Sequence, residues 1–300
     1  MRVLVAIGGN ALLKRGETLG IANQRRNMAE AAASLAAIAR EHEMILVHGN
    51  GPQVGLLALE ADAYKDAPPY PLDVLGAESQ GMIGFVIEEA MRRLLPEREI
   101  VTLLTQTMVD AGDPAFAAPS KPIGPVYDEE TARALASERG WSVAPDGKAW
   151  RRVVASPAPM RIVELASIRM LIESGCLVIC AGGGGIPVRP GPGGAPEGIE
   201  AVIDKDLAAR LLAVELAADC LLILTDVDGL YADWGKPAQR LLKSVAARDL
   251  DPAAFASGSM RPKVEAVRGF VEATGRPAFI GSLAEAAEVM AGRAGTRIEP

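Results

Sequence analysis

Glycine-rich clusters follow three of the predicted β-strands. Gly8-Gly9-Asn10 ends the first strand, Gly49-Asn50-Gly51-Pro52 ends the second, and Gly182–Gly185 follows the later apolar run CLVICA. In an open parallel sheet, ligands bind beyond the carboxyl ends of the strands, where glycine lets backbone N–H groups approach an anion. Each cluster alone is equally consistent with a tight turn, but three at equivalent positions favour an anion-binding site.

Three lysines are candidate partners for that anion. Lys205 follows Asp204, which suits a helix N-cap, although a cation at this end of a helix is mildly disfavoured by the helix dipole. Asp204 and Asp206 can simply offset its charge, but this helix start follows the tetraglycine strand, which favours a functional role. Lys263 begins another predicted helix beyond a glycine, and Lys121 opens a polar insertion. Each of these two alone is typical of a solvated lysine.

The strand LLILTDVDGLY ends in Thr225, Asp226 and Asp228. These residues indicate either a turn stabilised by Asp side chains, or a nucleotide contact that helps to place Mg²⁺. Histidine is nearly absent, since the chain contains only His42 and His48. We predict that His48 is a hydrogen-bonding residue at the end of a strand and not a catalytic base.

A site of amides and lysines without a base suits phosphoryl transfer to an acceptor that is already an anion. Such transfer depends on positioning and charge stabilisation more than on proton removal. The P-loop pattern GxxxxGK[ST] does not occur, and GNGPQVG misses the GxGxxG spacing by one residue. A nicotinamide dehydrogenase is therefore a poor alternative.

Composition narrows the class of protein. The 300 residues carry a net charge of −7 without a basic stretch, which argues against nucleic acid as a partner. The N-terminal apolar run is too short for a signal peptide, and no run approaches the roughly 20 apolar residues of a membrane span. The odd number of cysteines, all in apolar runs, suits core positions in a reducing cytoplasm.

Alternating strand and helix patterns predict an α/β fold with a mostly parallel sheet covered on both faces. The predicted strands are Arg2–Ile7, Met44–His48, Ile100–Thr105, Cys176–Cys180, Cys220–Thr225 and Pro277–Ile280. The predicted helices are Asn23–Arg40, Glu78–Leu95, Arg161–Glu173, Asp206–Ala217 and Lys263–Ala273.

A polar, Pro- and Gly-rich segment interrupts this alternation between about residues 114 and 159. It includes a predicted hairpin with Pro145-Asp146-Gly147 at its turn. The segment is either a surface insertion or a lid, and we predict a lid that closes over the substrate.

These motifs together resemble the amino acid kinase family and, within it, the carbamate kinases. The matching stretches span essentially the whole chain: VAIGGNALL, VHGNGPQVG, YPLDVLGAESQGMIG, SKPIGPVY, RRVVASP, AGGGGIPV, AVIDKDLA, LTDVDGLY and GSMRPKVEAV. The resemblance implies the reaction ATP + carbamate ⇌ ADP + carbamoyl phosphate with Mg²⁺ required. It also implies a homodimer whose single domain, residues 1–300, is a three-layer αβα sandwich with a protruding lid.

The resemblance also implies roles for individual residues. Lys121 would reach in from the lid, while Lys205 and Lys263 neutralise the phosphates and Asp206 holds both lysines. The resemblance assigns no residue as a ligand of Mg²⁺. The residues implied to hold carbamoyl phosphate and the transferring phosphoryl group are Gly8, Gly9, Asn10, Gly49, Asn50, Gly51, Gly182, Gly183, Gly184 and Gly185. Those implied to lie at the nucleotide are Lys205, Thr225, Asp226, Tyr231, Met260 and Lys263.

One position departs from the wider family, which places a lysine where this chain has Ala6; carbamate kinases share this departure, and Lys205 is expected to replace it. Two alternatives remain open: a kinase for another small acid or a phosphonate, and a nucleotide-binding regulator without turnover. A regulator should have lost a lysine or a glycine at the site, and none is missing.

The helix over Glu78–Leu95 is apolar around most of its circumference. It is either a central core helix or a twofold interface, and we predict the interface.

Overall fold

The structure, a computed structural model, describes residues 1–14, 16–256 and 260–300, without the side chain of Asn10. The glycine that precedes Lys263 in the sequence therefore lies outside the described residues. Within them, an eight-stranded sheet is parallel throughout except where Ala278–Ser282 pairs with Thr296–Glu299. Its strands in spatial order are Ser244–Ala246 (β15), Thr296–Glu299 (β17), Ala278–Ser282 (β16), Cys220–Thr225 (β12), Arg2–Ile7 (β1), Glu43–His48 (β2), Leu177–Ile179 (β9) and Ile100–Thr102 (β3).

Three smaller sheets and eight α-helices complete the described fold. The first smaller sheet contains Gln106–Met108 (β4), Arg161–Ile162 (β8), Ile186–Pro190 (β10) and Pro196–Gly198 (β11). The second contains Lys121–Tyr127 (β5), Ser142–Asp146 (β6) and Ala149–Val154 (β7). The third is the pair Leu230–Ala232 (β13) and Arg240–Leu242 (β14). The helices are Ile21–Glu41 (α1), Gly51–Ala63 (α2), Leu72–Leu94 (α3), Glu129–Arg139 (α4), Leu165–Glu173 (α5), Lys205–Glu215 (α6), Met260–Thr274 (α7) and Ala286–Met290 (α8). No helix among the described residues is long and apolar enough to cross a membrane.

The large sheet is buried on both faces, as its apolar strands predict. In β1, Val3, Val5 and Ile7 pack in one cluster with α1, α3 and α8, while Leu4 and Ala6 pack in a second with α5, α6 and α7. Because successive side chains of a strand point to opposite faces, this division places helices on both sides of the sheet. The predicted three-layer αβα fold is confirmed.

The carboxyl ends of four neighbouring strands meet at one edge of the sheet. Ile7 at the end of β1 lies between Leu224 of β12 and His48 of β2, and β9 adjoins β2. The amide of Gly8 donates to the Leu224 carbonyl at 3.0 Å, and that of Gly49 to the Ile7 carbonyl at 3.0 Å. The glycine clusters therefore start at the same edge, as the sequence predicted.

Several element boundaries differ from the predicted ones. The predicted strand Ile100–Thr105 is wrong as one element, because β3 ends at Thr102 and β4 begins at Gln106 in a different sheet. The predicted helix Arg161–Glu173 begins only at Leu165, since its first residues form β8. The sequence analysis missed helix α2 altogether, because its glycine- and proline-containing start does not show a helical apolar pattern.

Strands β5, β6 and β7 form a separate three-stranded sheet that packs against α4, and we call this unit the inserted sheet (residues 121–154). The predicted hairpin is the β6–β7 pair, in which Asp146 lies opposite Ala149. The inserted sheet contacts helix α2 closely: a Cβ on Gly55 would lie 2.1 Å from the Cα of Gly124, so only glycine fits there. Arg139 also pairs with Asp62 of α2 at 2.5 Å.

Candidate active site

A cavity of about 1210 Å³ lies at the carboxyl ends of the strands, next to the inserted sheet. The predicted site residues that line it are Gly8, Gly9, Gly49, Asn50, Gly51, Lys121, Gly183, Lys205, Asp206, Thr225, Asp226, Tyr231, Met260 and Lys263. Gly8 and Lys263, which are 255 positions apart in sequence, thus line the same cavity. The tertiary structure brings together the three lysines, the glycine clusters and the acidic strand end.

Asp206 bridges two of the lysines. Nζ of Lys205 donates to Oδ1 of Asp206 at 2.5 Å, and Nζ of Lys263 donates to Oδ2 at 2.9 Å. Lys205 and Asp206 are buried, with 4 % of the Asp206 side chain exposed, and Lys263 is partly buried. Lys205 and Asp206 lie in the first turn of α6, and Lys263 lies in the first turn of α7. The packing of these two helices therefore decides the geometry of the bridge.

The ionisation of this cluster follows from burial and mutual charge. Burial lowers the pKa of Lys205, and Lys263 lowers it further, while Asp206 opposes both effects. Burial alone would raise the pKa of Asp206, but the two ammonium groups outweigh burial and lower it well below its ordinary value. Burial would likewise lower the pKa of Lys263, but Asp206 raises it above its ordinary value. Asp206 is therefore a carboxylate at neutral pH and favours the charged form of both lysines.

Asp204 holds the third lysine. Its Oδ1 caps α6, accepting from the amides of Asp206 at 2.9 Å and Leu207 at 3.4 Å, as its predicted N-cap role requires. Its Oδ2 accepts from Nζ of Lys121 at 2.5 Å. Lys121 is the first residue of β5, so this pair links the inserted sheet to the start of α6.

The tetraglycine run forms a tight loop under the cavity. Gly183 lines the cavity at φ +65°, and a Cβ there would lie 2.2 Å from Nδ2 of Asn50. Among the other members, which are not part of the cavity lining, a Cβ on Gly182 would meet the His48 ring, and one on Gly185 would lie 2.0 Å from Oγ1 of Thr107. The loop therefore follows a path that side chains larger than hydrogen would block.

Buried polar side chains from α3 and β4 fasten this loop, and the sequence analysis missed them. Nε2 of Gln80 donates to the carbonyl oxygens of Thr105 and Gly182, both at 3.1 Å, and its Oε1 accepts from the Thr105 amide at 2.8 Å. Oγ1 of Thr107 donates to the Gly184 carbonyl at 2.9 Å. The only available signal was a polar residue, Gln80, at a core-facing position of the apolar helix.

His48 is buried at the end of β2, and Nδ1 donates to the Gly49 carbonyl at 3.0 Å. Because a carbonyl oxygen only accepts, Nδ1 carries the proton of the neutral ring. Burial lowers the pKa of His48 to about 4, so the ring is neutral at pH 7. The prediction that His48 is a hydrogen-bonding residue at a strand end is confirmed.

Thr225, Asp226, Tyr231 and Met260, which are predicted to lie at the nucleotide with Lys205 and Lys263, line the same cavity. Oγ1 of Thr225 donates to Oδ1 of Asp226 at 3.1 Å, and the Tyr231 hydroxyl donates to Oδ2 of Asp228 at 2.7 Å. Trp234, whose ring lies 5.2 Å from that of Tyr231, also lines the cavity. Further lining residues that the sequence analysis missed include Lys236, Arg240, Leu250 and Phe255. Arg240 begins the short strand β14 and the other three lie in irregular segments, so none of them belongs to a periodic pattern long enough to read from the sequence.

Metal-binding potential at the site is limited to scattered carboxylates. Asp226 lines the cavity, but the described residues contain no group of three or more His, Cys, Asp or Glu side chains that would hold a metal ion. Mg²⁺ commonly binds through substrate phosphates, water and one or two carboxylates. The donor set is therefore compatible with Mg²⁺ that arrives with a nucleotide.

Comparisons with known proteins agree with this geometry. A family model described as the amino acid kinase family matches residues 1–282. The chain is 51% identical over 299 residues to a carbamate kinase of Haemophilus influenzae, covering 99% of this chain and 96% of that protein. It is 51% identical over 296 residues to a carbamate kinase of Escherichia coli K12, covering 99% and 98%. The solved structure of carbamate kinase from Giardia lamblia bound to AMP-PNP superposes with a TM-score of 0.89 and 41% identity, covering 99% of this chain and 98% of that one.

Proposed function

The chain belongs to the amino acid kinase family and is a kinase, and from that premise we propose that it transfers a phosphoryl group between ATP and carbamate. The reaction is ATP + carbamate ⇌ ADP + carbamoyl phosphate. The proposed acid is the one named for relatives at 51% identity over nearly the full chain. The Giardia relative was solved with AMP-PNP, which supports ATP and ADP as the nucleotides.

The observation that carries the proposal is the bridge from Asp206 to Lys205 and Lys263 beside the glycine loops. Two anions, the acid and the nucleotide phosphates, must approach each other before transfer. Preorganised ammonium and amide donors stabilise the charge that develops on the transferring group, and removing one costs on the order of 3 kcal/mol of transition-state stabilisation. A buried carboxylate that keeps both lysines charged and fixed supplies that preorganisation.

We propose roles for the remaining residues from their positions. The amides of the Gly8-Gly9, Gly49–Gly51 and Gly183 segments hold the acid and the transferring phosphoryl group, with Asn10 contributing to the same loop. Gly182, Gly184 and Gly185 shape the tetraglycine path. Lys121 reaches the acid from the inserted sheet. Lys205 and Lys263 contact the phosphates, and Thr225, Asp226, Tyr231 and Met260 lie at the nucleotide.

In this mechanism no side chain removes a proton. Carbamate is already an anion, so its oxygen attacks the phosphorus directly while the lysines neutralise the charge. Two observations support this: His48 is neutral, buried and bonded to the Gly49 carbonyl, and it is not part of the cavity lining. Asp226, which lines the cavity, would help to hold Mg²⁺ that arrives with the nucleotide, and the ion would supply positive charge to the phosphates.

We also propose that residues 114–159 act as a lid within one kinase domain and that the enzyme is a homodimer. Closure of the inserted sheet would exclude water from the transferring phosphoryl group. Phe85 on α3 supports the dimer, because 59 % of this large apolar side chain is exposed while its helix neighbours Ile83 and Ile87 are buried. The three unpaired cysteines support a reducing cytoplasm as its location.

The direct test mixes purified protein with ADP, Mg²⁺ and carbamoyl phosphate and measures ATP. We expect ATP formation that depends on all three additions and falls strongly in Lys205→Ala. Acetyl phosphate and a phosphonate tested in parallel should react far more slowly. Faster turnover of either one would show that the acid is not carbamate, and binding of nucleotide without turnover of any acid would favour a regulator.

A further inference from the structure

Asp204 occupies the junction between the inserted sheet and the catalytic lysine cluster. Its side chain is 11% exposed, and its two oxygens have separate partners: Oδ1 the backbone at the start of α6, Oδ2 the ammonium of Lys121. Hydrogen bonds to two amides fix the plane of the carboxylate. Oδ2 is therefore held at one position on the cavity wall.

Lys121 needs such a partner. It is the first residue of β5, its side chain is 30% exposed, and Asp204 is the acidic side chain recorded within ion-pair distance of it in the described part of the chain. A lysine side chain has four rotatable bonds and loses rotamer entropy when it is fixed. Because the ion pair with Asp204 already fixes Lys121, this entropy is lost before the substrate binds and does not weaken binding.

The balance of charges in the lysine cluster favours release of Lys121 from Asp204 when an anion binds. Three ammonium groups face two carboxylates in this cluster, Asp204 and Asp206. Asp206 already pairs with both Lys205 and Lys263, and Asp204 pairs directly with Lys121, while its charge acts on the other two lysines only at longer range. An anion that enters the cavity competes with Oδ2 for this ammonium, and the carboxylate retains its two amide donors when the lysine turns away.

We infer that Asp204 is a positioning residue for Lys121: it holds the lysine of the inserted sheet at the cavity mouth in the substrate-free enzyme and yields it to the bound acid or its phosphate. Asp204 itself does not contact the reacting atoms. This inference deepens the proposed function and rests on it for its kinetic part. The same pair also ties the inserted sheet to α6 before substrate arrives.

A double-mutant cycle tests the kinetic part. Asp204→Asn keeps an oxygen that caps the helix about as well as aspartate, but it removes the charge that pairs with Lys121. We expect kcat/KM for ATP formation to fall by about tenfold in Asp204→Asn. In a Lys121→Met background the same change should alter kcat/KM by less than about twofold, because the residue it acts through is gone. Asp204→Glu, which restores the charge, should recover part of the loss.

Equal losses in both backgrounds would overturn the inference, since Asp204 would then act through the helix cap or through the other lysines. Unchanged kinetics in Asp204→Asn would overturn it as well. The matched control is Asp62→Asn, which removes a different ion pair of the inserted sheet, with Arg139, outside the cavity. Its effect on kcat/KM should be the same with and without Lys121.

Hydrogen exchange of the substrate-free protein supplies a readout that does not depend on activity. The amides of Lys121 and Ile123, which flank Pro122, should exchange several-fold faster in Asp204→Asn than in the unmodified protein, because β5 loses its link to α6. Unchanged exchange there would show that Asp204 does not hold the inserted sheet. If the unmodified protein makes no ATP from carbamoyl phosphate, the proposed function fails, while this experiment still decides the role of Asp204.

Discussion

The side-chain amide of Gln80 donates to the carbonyl oxygen of Gly182 at 3.1 Å. This bond joins helix α3 to the tetraglycine loop, and the same side chain bonds both backbone groups of Thr105. One buried residue therefore sets the spacing between a helix on one face of the sheet and the loop that lines the cavity.

Replacing Gln80 should damage the site more than the fold. In Gln80→Met, which has a similar volume, the buried Thr105 amide loses its partner, at about 1–3 kcal/mol for an unsatisfied group. The carbonyls of Thr105 and Gly182 lose one of their two donors and keep the amides of Ile186 and Gly185. We expect kcat to fall by about tenfold as the glycine loop loses its fixed position. Steady-state kinetics together with urea unfolding separate the two effects. A loss of stability with unchanged kcat would assign Gln80 a structural role only.

Lys205 should be far more important for turnover than His48. Lys205→Ala removes one preorganised donor and should lower kcat by roughly 10²–10³. His48→Asn should cost much less, because the ring is neutral and outside the cavity lining. Initial rates of ATP formation test this ranking. A near-normal kcat for Lys205→Ala, with a folded but inactive His48→Asn, would indicate acid–base chemistry at His48.

Asp206→Asn should shift the pH dependence of activity. Burial lowers the pKa of Lys205 and Asp206 opposes that effect, so loss of the carboxylate lowers the lysine pKa further. The charged form is then lost at a lower pH, and the fall of kcat on the alkaline side should move towards neutrality by about one unit or more. The profile of kcat between pH 6 and 10 measures this shift. An alkaline limb at the same pH in both proteins would contradict it.

Residues 114–159 should become protected when the site is filled. We expect slower hydrogen exchange in this segment when nucleotide and a carbamoyl phosphate analogue bind together, because closure excludes water. Nucleotide alone should have a smaller effect, since Lys121 lies at the proposed acid subsite. The matched control is exchange in α1, which contributes no residue to the cavity lining. Equal protection with and without both ligands would leave the segment an ordinary insertion.

Light scattering at micromolar concentration should give the mass of a dimer. Phe85→Arg should lower that mass to about 31.4 kDa, the mass of one chain, because it places a charge on the exposed apolar side of α3. Met170→Arg is the matched control, since this equally exposed residue lies on α5 in the other helical layer. A monomeric mass for the unmodified protein would contradict the proposed interface.

Local patterns in the sequence determined much of this molecule. The bounds of β1 and β12 match the predicted strands to the residue, because buried parallel strands read as continuous aliphatic runs. Asp204 caps α6 as predicted, since capping is a local interaction between a side chain and the first amides of the helix that follows it. The glycine clusters and the lysines also lie at one cavity, because parallel strands align their carboxyl ends.

Tertiary structure decided which of these groups touch. Asp206 and Lys263 are 57 positions apart, and their 2.9 Å bond depends on how α6 packs on α7. Gln80 and Gly182 are 102 positions apart, and Gly55 meets Gly124 across two subdomains. Packing also decided the break between β3 and β4, because β3 is the edge strand of the eight-stranded sheet and β4 pairs in a different sheet. A sequence records local preference for helix, strand or turn, whereas contacts between distant segments are fixed by packing that no local pattern encodes.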